Sequence, residues 1–301
     1  MKEKKNNIFD PRFGKRPAYF IGREDILRDI RAMMDDPDEE NKTAIISGIK
    51  GSGKTAILSE IKSGLEQPHV VTIIDDAEKT TEALRALLTG FSQDVGGGKL
   101  INEARNRGLI IAGLPHAIEE ILKDEEFSLL RHSYRVALTG IRAEEVFYLF
   151  EDTFPDSESD VLKRAAEATM GYPYLIQLIG YYLSKEEKGI DDKAADRAIF
   201  RSKIEMYKNI HEPLVWSLSS KDRMFLWSMA QDEGASEFGE IAKRMDVSAG
   251  YASKYRERLI GANVIYSSAY GELAFTLPFM KEYIEKEYVE RLGGEGGKRR
   301  L

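Results

Sequence analysis

The chain has 301 residues and a mass of 34.1 kDa, the size of about two domains at ~150 residues each. Its 42% hydrophobic and 32% charged residues exclude collagen-like and disordered chains, and no cysteine is present to form disulfides, thiolate metal sites or a thiol nucleophile. Acids outnumber bases 51 to 44, a net charge of −7, which excludes a molecule-wide basic field for nucleic acid but permits a local basic face. No apolar run approaches the ~20 residues of a membrane span. The start, Met1-Lys2-Glu3-Lys4-Lys5-Asn6-Asn7, has no apolar core behind its basic residues, so a signal peptide is not expected. The expectation is a soluble cytoplasmic protein with no membrane partner.

The first 20 residues place Pro11, Gly14 and Pro17 among Phe9, Phe13, Tyr19 and Phe20, an extended, ordered arm whose aromatics need a surface to cover. Ile26, Leu27, Ile30, Met33 and Met34 share one helical face, and Asp35-Asp36-Pro37-Asp38 stops that helix. A β-rich run at 43–47, a helix at 55–65, a β-branched run at 70–74 and a helix at 80–91 follow. Gly96-Gly97-Gly98 then marks a break. Strands at 109–112 and 135–138 flank a helix at 118–123. Alternating strands and helices predict a parallel sheet covered on both faces. Beyond residue 142 the strand signals stop, and helices are expected at 143–150, 157–169, 174–183 and 193–207. Residues 219–289 then read as three helices (221–230, 237–245, 249–260), two short strands and a closing helix, before a glycine- and charge-rich tail.

The turn Gly48-Ile49-Lys50-Gly51-Ser52-Gly53-Lys54-Thr55 satisfies G-x-x-x-x-G-K-[ST] between a strand and a helix. Glycines let the backbone wrap a phosphate with several N–H groups turned inward, and the helix N-terminus, through Ala56, adds its dipole. Lys54 is expected on the β- and γ-phosphates of ATP, and the Thr55 hydroxyl on Mg²⁺. Val70-Val71-Thr72-Ile73-Ile74-Asp75-Asp76 has Walker B form, with Asp75 as magnesium ligand and Asp76 where a glutamate often polarises the attacking water. Only residues 55–74 separate loop and acids, so this strand could instead precede Walker B.

Together these segments resemble bacterial AAA+/STAND-type ATPases related to archaeal origin-recognition ATPases. The resemblance begins in Asn7-Ile8-Phe9-Asp10-Pro11-Arg12-Phe13-Gly14 and Phe20-Ile21-Gly22-Arg23-Glu24, and runs through most of the chain. It implies an α/β P-loop NTPase domain with a helical lid and a C-terminal winged-helix domain. It also implies Gly22 and Arg23 near the adenine, and a sensor 1 strand within Gly108-Leu109-Ile110-Ile111-Ala112-Gly113-Leu114-Pro115. Gly171-Tyr172-Pro173 looks like the G-x-P element of STAND proteins, whose proline packs near the nucleotide. The strand at 108–113 leads into Leu114-Pro115 rather than Asn, Thr or Arg, no arginine adjoins Gly171, and a strand–helix unit is missing before the acidic pair. Each departure weakens the case for rapid hydrolysis and leaves nucleotide binding intact. Arg131, ahead of Arg135, lies where AAA+ proteins place an arginine finger, although an arginine ending a helix also complements its dipole.

Domains are expected at 1–142, 143–213 and 214–292, with a tail at 293–301. Residues 214–292 hold 10 basic and 12 acidic residues, a net of −2, whereas 248–260 alone has three and one, a net of +2. That stretch offers Lys254, Arg256 and Arg258 with Tyr251 and Tyr255. A recognition helix of double-stranded DNA has such residues, and so does a helix used in protein contacts. His69, His116, His132 and His211 are scattered, without metal-ligand spacing. Trp216 and Trp227 are expected in a core or an interface. The leading expectation is an ATP- and Mg²⁺-binding switch with slow hydrolysis, coupled to the winged helix, that self-associates or meets a protein partner. The alternative is a DNA-binding regulator whose nucleotide site is mainly structural.

Overall fold

A computed structural model describes residues 8–36, 38, 39, 42–65, 71–79, 84, 108–186 and 189–293. Of the expected helix at 80–91 only Leu84 is among them, and the glycine break and His69 lie outside. The chain divides into two compact units, Met1–Ser202 and Lys203–Leu301.

In the first unit, helix α1 (Glu24–Asp35) precedes strand β1 (Thr43–Ser47), helix α2 (Lys54–Gly64) and strand β2 (Val71–Ile74). Strand β3 (Gly108–Gly113), helix α3 (Pro115–Lys123), a 3-10 segment at Glu125–His132 and strand β4 (Tyr134–Ala137) complete the sheet region. The order is β2-β3-β1-β4, all parallel. Sequence periodicity explains why these strands are continuous apolar runs. Successive side chains point to opposite faces, and both faces are covered. Ala44, Ile46, Ile110 and Ala112 face Ile30, Ile57 and Ile61 of α1 and α2. Ile45, Leu109 and Ile111 face Ile118 and Ile121 of α3, with Phe127 and Leu130 beyond it. Ser47 is level with Gly113 and with Ala137, so three strands end at one edge, where the loop after β1 emerges.

Helices α4 (Ala143–Thr153), α5 (Ser159–Ala168), α6 (Pro173–Leu183) and α7 (Asp192–Met206) follow. They bury Val146, Phe150, Leu162, Ile176 and Ile179 in a cluster of their own. The N-terminal arm belongs to that cluster: Phe9 is 2% exposed and packs edge-on against Phe150 at 5.7 Å.

The second unit begins within α7 and continues through a π-helical turn at Tyr207–His211 into the short helix α8 (Glu212–Trp216). Helices α9 (Ser220–Ala230), α10 (Phe238–Arg244) and α11 (Ala249–Gly261) are joined by a three-stranded antiparallel sheet. Its strands are β5 (Ser236–Glu237), β6 (Ile265–Ala269) and β7 (Glu272–Phe275), in the order β5-β7-β6. Helix α12 (Met280–Gly293) closes the unit. Trp216 is not a core residue; it is 59% exposed at the end of α8. Among the described residues no helix is long and apolar enough to cross a membrane.

His211 is fully buried in the second unit, stacked on Tyr283 at 5.4 Å and edge-on to Tyr207, with Nε2–H donating to the Pro278 carbonyl at 2.9 Å. Burial pushes its pKa down to about 4, a shift that the Pro278 bond and the charge of Glu282 reduce without reversing. The folded state therefore resists a proton that the unfolded chain accepts, so this contribution is present above pH 6.5 and is lost as pH falls towards 4. Linkage gives a loss of about 2 kcal/mol between pH 7 and pH 5. Urea titrations at the two pH values should show it in the wild type, and His211→Gln should remove it.

Candidate functional site

The candidate site is built on the loop between β1 and α2. Gly51 and Gly53 take left-handed backbone, with φ of 79° and 93°. A side chain at 51 has no room, because a Cβ there would lie 2.2 Å from the Tyr172 hydroxyl. Helix α2 starts with no side-chain cap, and its Ile57 N–H donates to the Gly53 carbonyl at 2.9 Å, leaving the N–H groups ahead of it without an acceptor within the helix. Lys54, 8% exposed, arches back over the loop and donates to the carbonyls of Gly48 at 2.8 Å and Ile49 at 3.2 Å.

The acidic pair after β2 meets this loop. Thr55 Oγ1 donates to Asp75 Oδ2 at 2.5 Å, and Asp75 Oδ1 accepts the Asp76 N–H at 2.9 Å. A hydroxyl and a carboxylate on oxygen-only donors, side by side next to a phosphate-type loop, suit Mg²⁺, which usually takes one or two protein oxygens and completes its shell with water and phosphate. Asp76 has φ 51°, a left-handed conformation that aspartate tolerates better than most residues, and its Oδ2 pairs with Lys79 Nζ at 2.7 Å. Leu114, directly after β3, puts an apolar side chain where the sequence resemblance seeks a polar sensor.

A cavity of about 600 Å³ opens over the loop. Gly51, Ser52, Gly53, Lys54, Thr55, Ala56, Asp76, Pro173 and Arg23 all line it. Gly22, Gly48 and Asp75 stand one residue or one hydrogen bond from that lining. The cationic side chains of the wall are Arg12, Lys15, Arg23, Lys50, Lys54 and Lys79, against the carboxylates of Asp10 and Asp76, six minus two giving +4. That excess on a chain of net charge −7 marks the cavity as a place for a polyanion. Arg23 is 8% exposed; its guanidinium donates to the Thr139 carbonyl, and burial holds its pKa below the usual arginine value. Next to the loop, Phe13 stacks on Tyr174 at 4.6 Å with Lys50 Nζ 5.5 Å from the Phe13 ring, and Asp10 N–H donates to Gln177 Oε1 at 2.9 Å.

Pro173 is the first residue of α6, set by Gly171 in left-handed backbone at φ 67°. A Cβ on Gly171 would lie 2.1 Å from the Ile141 carbonyl oxygen, so only glycine fits. The structure does not bring Arg131 into the cavity. Its guanidinium pairs with Glu125 at 2.8 Å and donates to the Leu122 carbonyl, and Arg135 donates to the Arg131 carbonyl. Sequence reading missed Tyr172, Phe13, Tyr174 and Lys79. For Tyr172 the signal was its place inside the Gly171–Pro173 motif, where only the proline was given a role.

In the second unit the three basic residues of α11 have different neighbours. Lys254 Nζ sits 3.8 Å from the Tyr251 ring centre, and the Arg256 guanidinium 4.6 Å from that of Phe238. Arg258 is committed internally. It contacts Asp222 at 2.5 and 3.0 Å and Ser219 Oγ at 3.1 Å, and Asp222 is only 2% exposed. Ser219 and Asp222 also cap α9 reciprocally.

A family profile described as a domain of unknown function (DUF8462) matches residues 208–284. Comparison with curated protein sequences finds no match. Among solved structures, the chain is similar to the Walker-type ATPase PABY2304 of Pyrococcus abyssi, with TM-score 0.67 and 14% identity over 92% of this chain and 99% of that one. It is also similar to the ORC2 protein of Aeropyrum pernix, with TM-score 0.60 and 10% identity over 96% of this chain and 98% of that one. The parallel sheet and its helices have the P-loop NTPase fold.

Removing Arg258 leaves the Asp222 carboxylate buried without its counter-charge. Arg258→Ala should therefore destabilise the second unit by about 2 kcal/mol, between the values of exposed and fully buried pairs. A urea titration measures it.

Proposed function

We propose that the protein is an ATP-binding P-loop ATPase with slow hydrolysis that works as a nucleotide-dependent switch. The observation that carries this reading is the meeting of Thr55 and Asp75 at 2.5 Å beside the Lys54 loop, on the wall of a cavity with excess positive charge. Gly51, Gly53 and the first turn of α2 supply N–H donors for the phosphates, and Lys54 exchanges its loop carbonyls for phosphate oxygens. Thr55 and Asp75 hold Mg²⁺, and when bound the metal neutralises charge on the β- and γ-phosphates. Gly22, Arg23 and the arm enclose the base, with Pro173 on the lid side. Asp76 orients water with a side chain one methylene shorter than glutamate, which supports slow turnover, and Arg131 acts only if a second subunit receives it. The description of the A. pernix ORC2 structure as ADPNP and ADP complexes is consistent with this reading.

In the second unit, α9, α10 and α11 followed by the β6–β7 hairpin support assignment as a winged helix. The γ-phosphate then biases one of two arrangements only through contacts that differ between them. DNA binding is the second reading. It is favoured by Lys254 and Arg256, which rest on aromatic rings rather than carboxylates among the described residues, so their charge is not neutralised locally.

Calorimetric titration with Mg·ATP should show Lys54→Ala at least about tenfold weaker than wild type, the effect of losing one charge-assisted contact. Asp75→Asn should bind ATP with little dependence on Mg²⁺. Equal affinity in wild type and Lys54→Ala removes the nucleotide reading. For the second reading, filter binding to duplex DNA at ~50 mM salt should weaken steeply as salt rises, and the slope should shrink in Lys254→Ala and Arg256→Ala. No binding at that salt leaves the switch with a protein partner.

A further inference from the structure

One contact of the loop comes from far away in the chain. The Tyr172 hydroxyl donates to the Lys50 carbonyl, across 122 positions of sequence. Tyr172 is 4% exposed and does not line the cavity, whereas residues 50–55 and Pro173 do. The loop backbone therefore lies between the phenol and the cavity. In a trans peptide the C=O and N–H point in opposite directions. With the Lys50 carbonyl drawn towards Tyr172, the Gly51 N–H of the same peptide is turned towards the cavity, and no described residue accepts it. The phenol is itself fixed. Tyr172 N–H donates to the Thr169 carbonyl at 2.9 Å, Ile141 N–H donates to the Gly171 carbonyl at 2.8 Å, and Pro173 begins α6. Gly51 itself supplies no rigidity, since glycine crosses between backbone basins at little cost.

We infer that Tyr172 is a positioning residue for phosphate binding. Its hydroxyl latches the 50–51 peptide with the carbonyl outward and the Gly51 N–H inward. The latch rests on the nucleotide reading above and adds a coupling to it. When the Thr169–Pro173 turn shifts and the bond breaks, the peptide is free to present its carbonyl oxygen to the phosphates, which repel it. The helical region thereby controls affinity for phosphate without touching the phosphate.

Tyr172→Phe deletes only the hydroxyl and keeps the ring against Gly51. Calorimetry with Mg·ADP and with adenosine, melting curves, and the Gly51 amide signal of ¹⁵N-glycine-labelled protein test the latch. The expected result is about tenfold weaker ADP binding, one hydrogen bond to a charged group, with adenosine affinity unchanged. ADP should move the Gly51 signal strongly in wild type and weakly in the variant. Unchanged ADP affinity in Tyr172→Phe, while Lys54→Ala loses ADP, overturns the latch and leaves the nucleotide reading standing. ADP and adenosine affinities falling together with the melting temperature also overturn it, because the tyrosine then serves only as packing. ADP binding that survives Lys54→Ala removes the nucleotide reading itself, and the latch with it.

Discussion

Burial of the parallel sheet on both faces constrains everything else in the first unit. Because Ile45 points one way and Ala44 and Ile46 the other, β1 cannot slip by one residue without exchanging its two cores. Its end at Ser47 is therefore fixed, and so is the point at which the chain must turn to bring α2 back onto the sheet. A turn that tight, entered from a central strand and left as a helix, concentrates unpaired N–H groups at one place. The Lys54 loop is the chemical outcome of a packing requirement, and the cavity charge is built around it.

The second constraint comes from the helical region. Gly51 and Gly171 are both places where a methyl group has nowhere to go, one against the Tyr172 phenol and the other against the Ile141 backbone. These close approaches bring Pro173 to the loop and set Tyr174, with Phe13 stacked on it, beside Gly51 and Lys50. The arm is held in the same assembly, since Phe9 fills a space that a side chain at Gly180 would occupy, its ring lying 2.5 Å from where that Cβ would be. Sheet, helices and arm are thus one cavity-forming body, although the sheet and the helices have separate cores.

What sequence reading could recover follows the distance over which a residue's role is decided. The loop at 48–55 was readable because its chemistry is local: glycines, a lysine and a threonine at fixed spacing between a strand and a helix. The meeting of Asp75 with Thr55 follows from the one helix and one strand between them, since a strand on the same sheet returns to the same edge. The four strands and most helix boundaries followed from periodicity, since burial on one or both faces writes itself into apolar spacing. Tyr172, Phe13 and Arg258 were not readable in the same way. Their partners, Lys50, Tyr174 and Asp222, are distant in sequence, and nothing in the composition near them names the partner. Arg258 is the clearest case. On a helical wheel it is one more basic residue of α11, and only the buried Asp222 turns it inward.

Charge carries the same lesson one level higher. A net of −7 describes what a distant ion feels, but the residues lining the cavity include six cationic ones against two carboxylates. Screening over ~8–10 Å at ordinary salt cuts off most of the distant acidic surface, and partly buried charges such as Arg23 and Lys54 are screened far less. The local excess of positive charge around the cavity therefore acts at short range, where the acidic exterior contributes little. The same separation operates on α11, where a +2 segment sits in a −2 region of chain. There Arg258 is neutralised by Asp222, so the field of that helix comes from Lys254 and Arg256, offset by Glu257. The first unit concentrates its cations around one hollow and the second disperses them over aromatic rings. Of the two, the first has the stronger physical case for gripping a small, highly charged ligand.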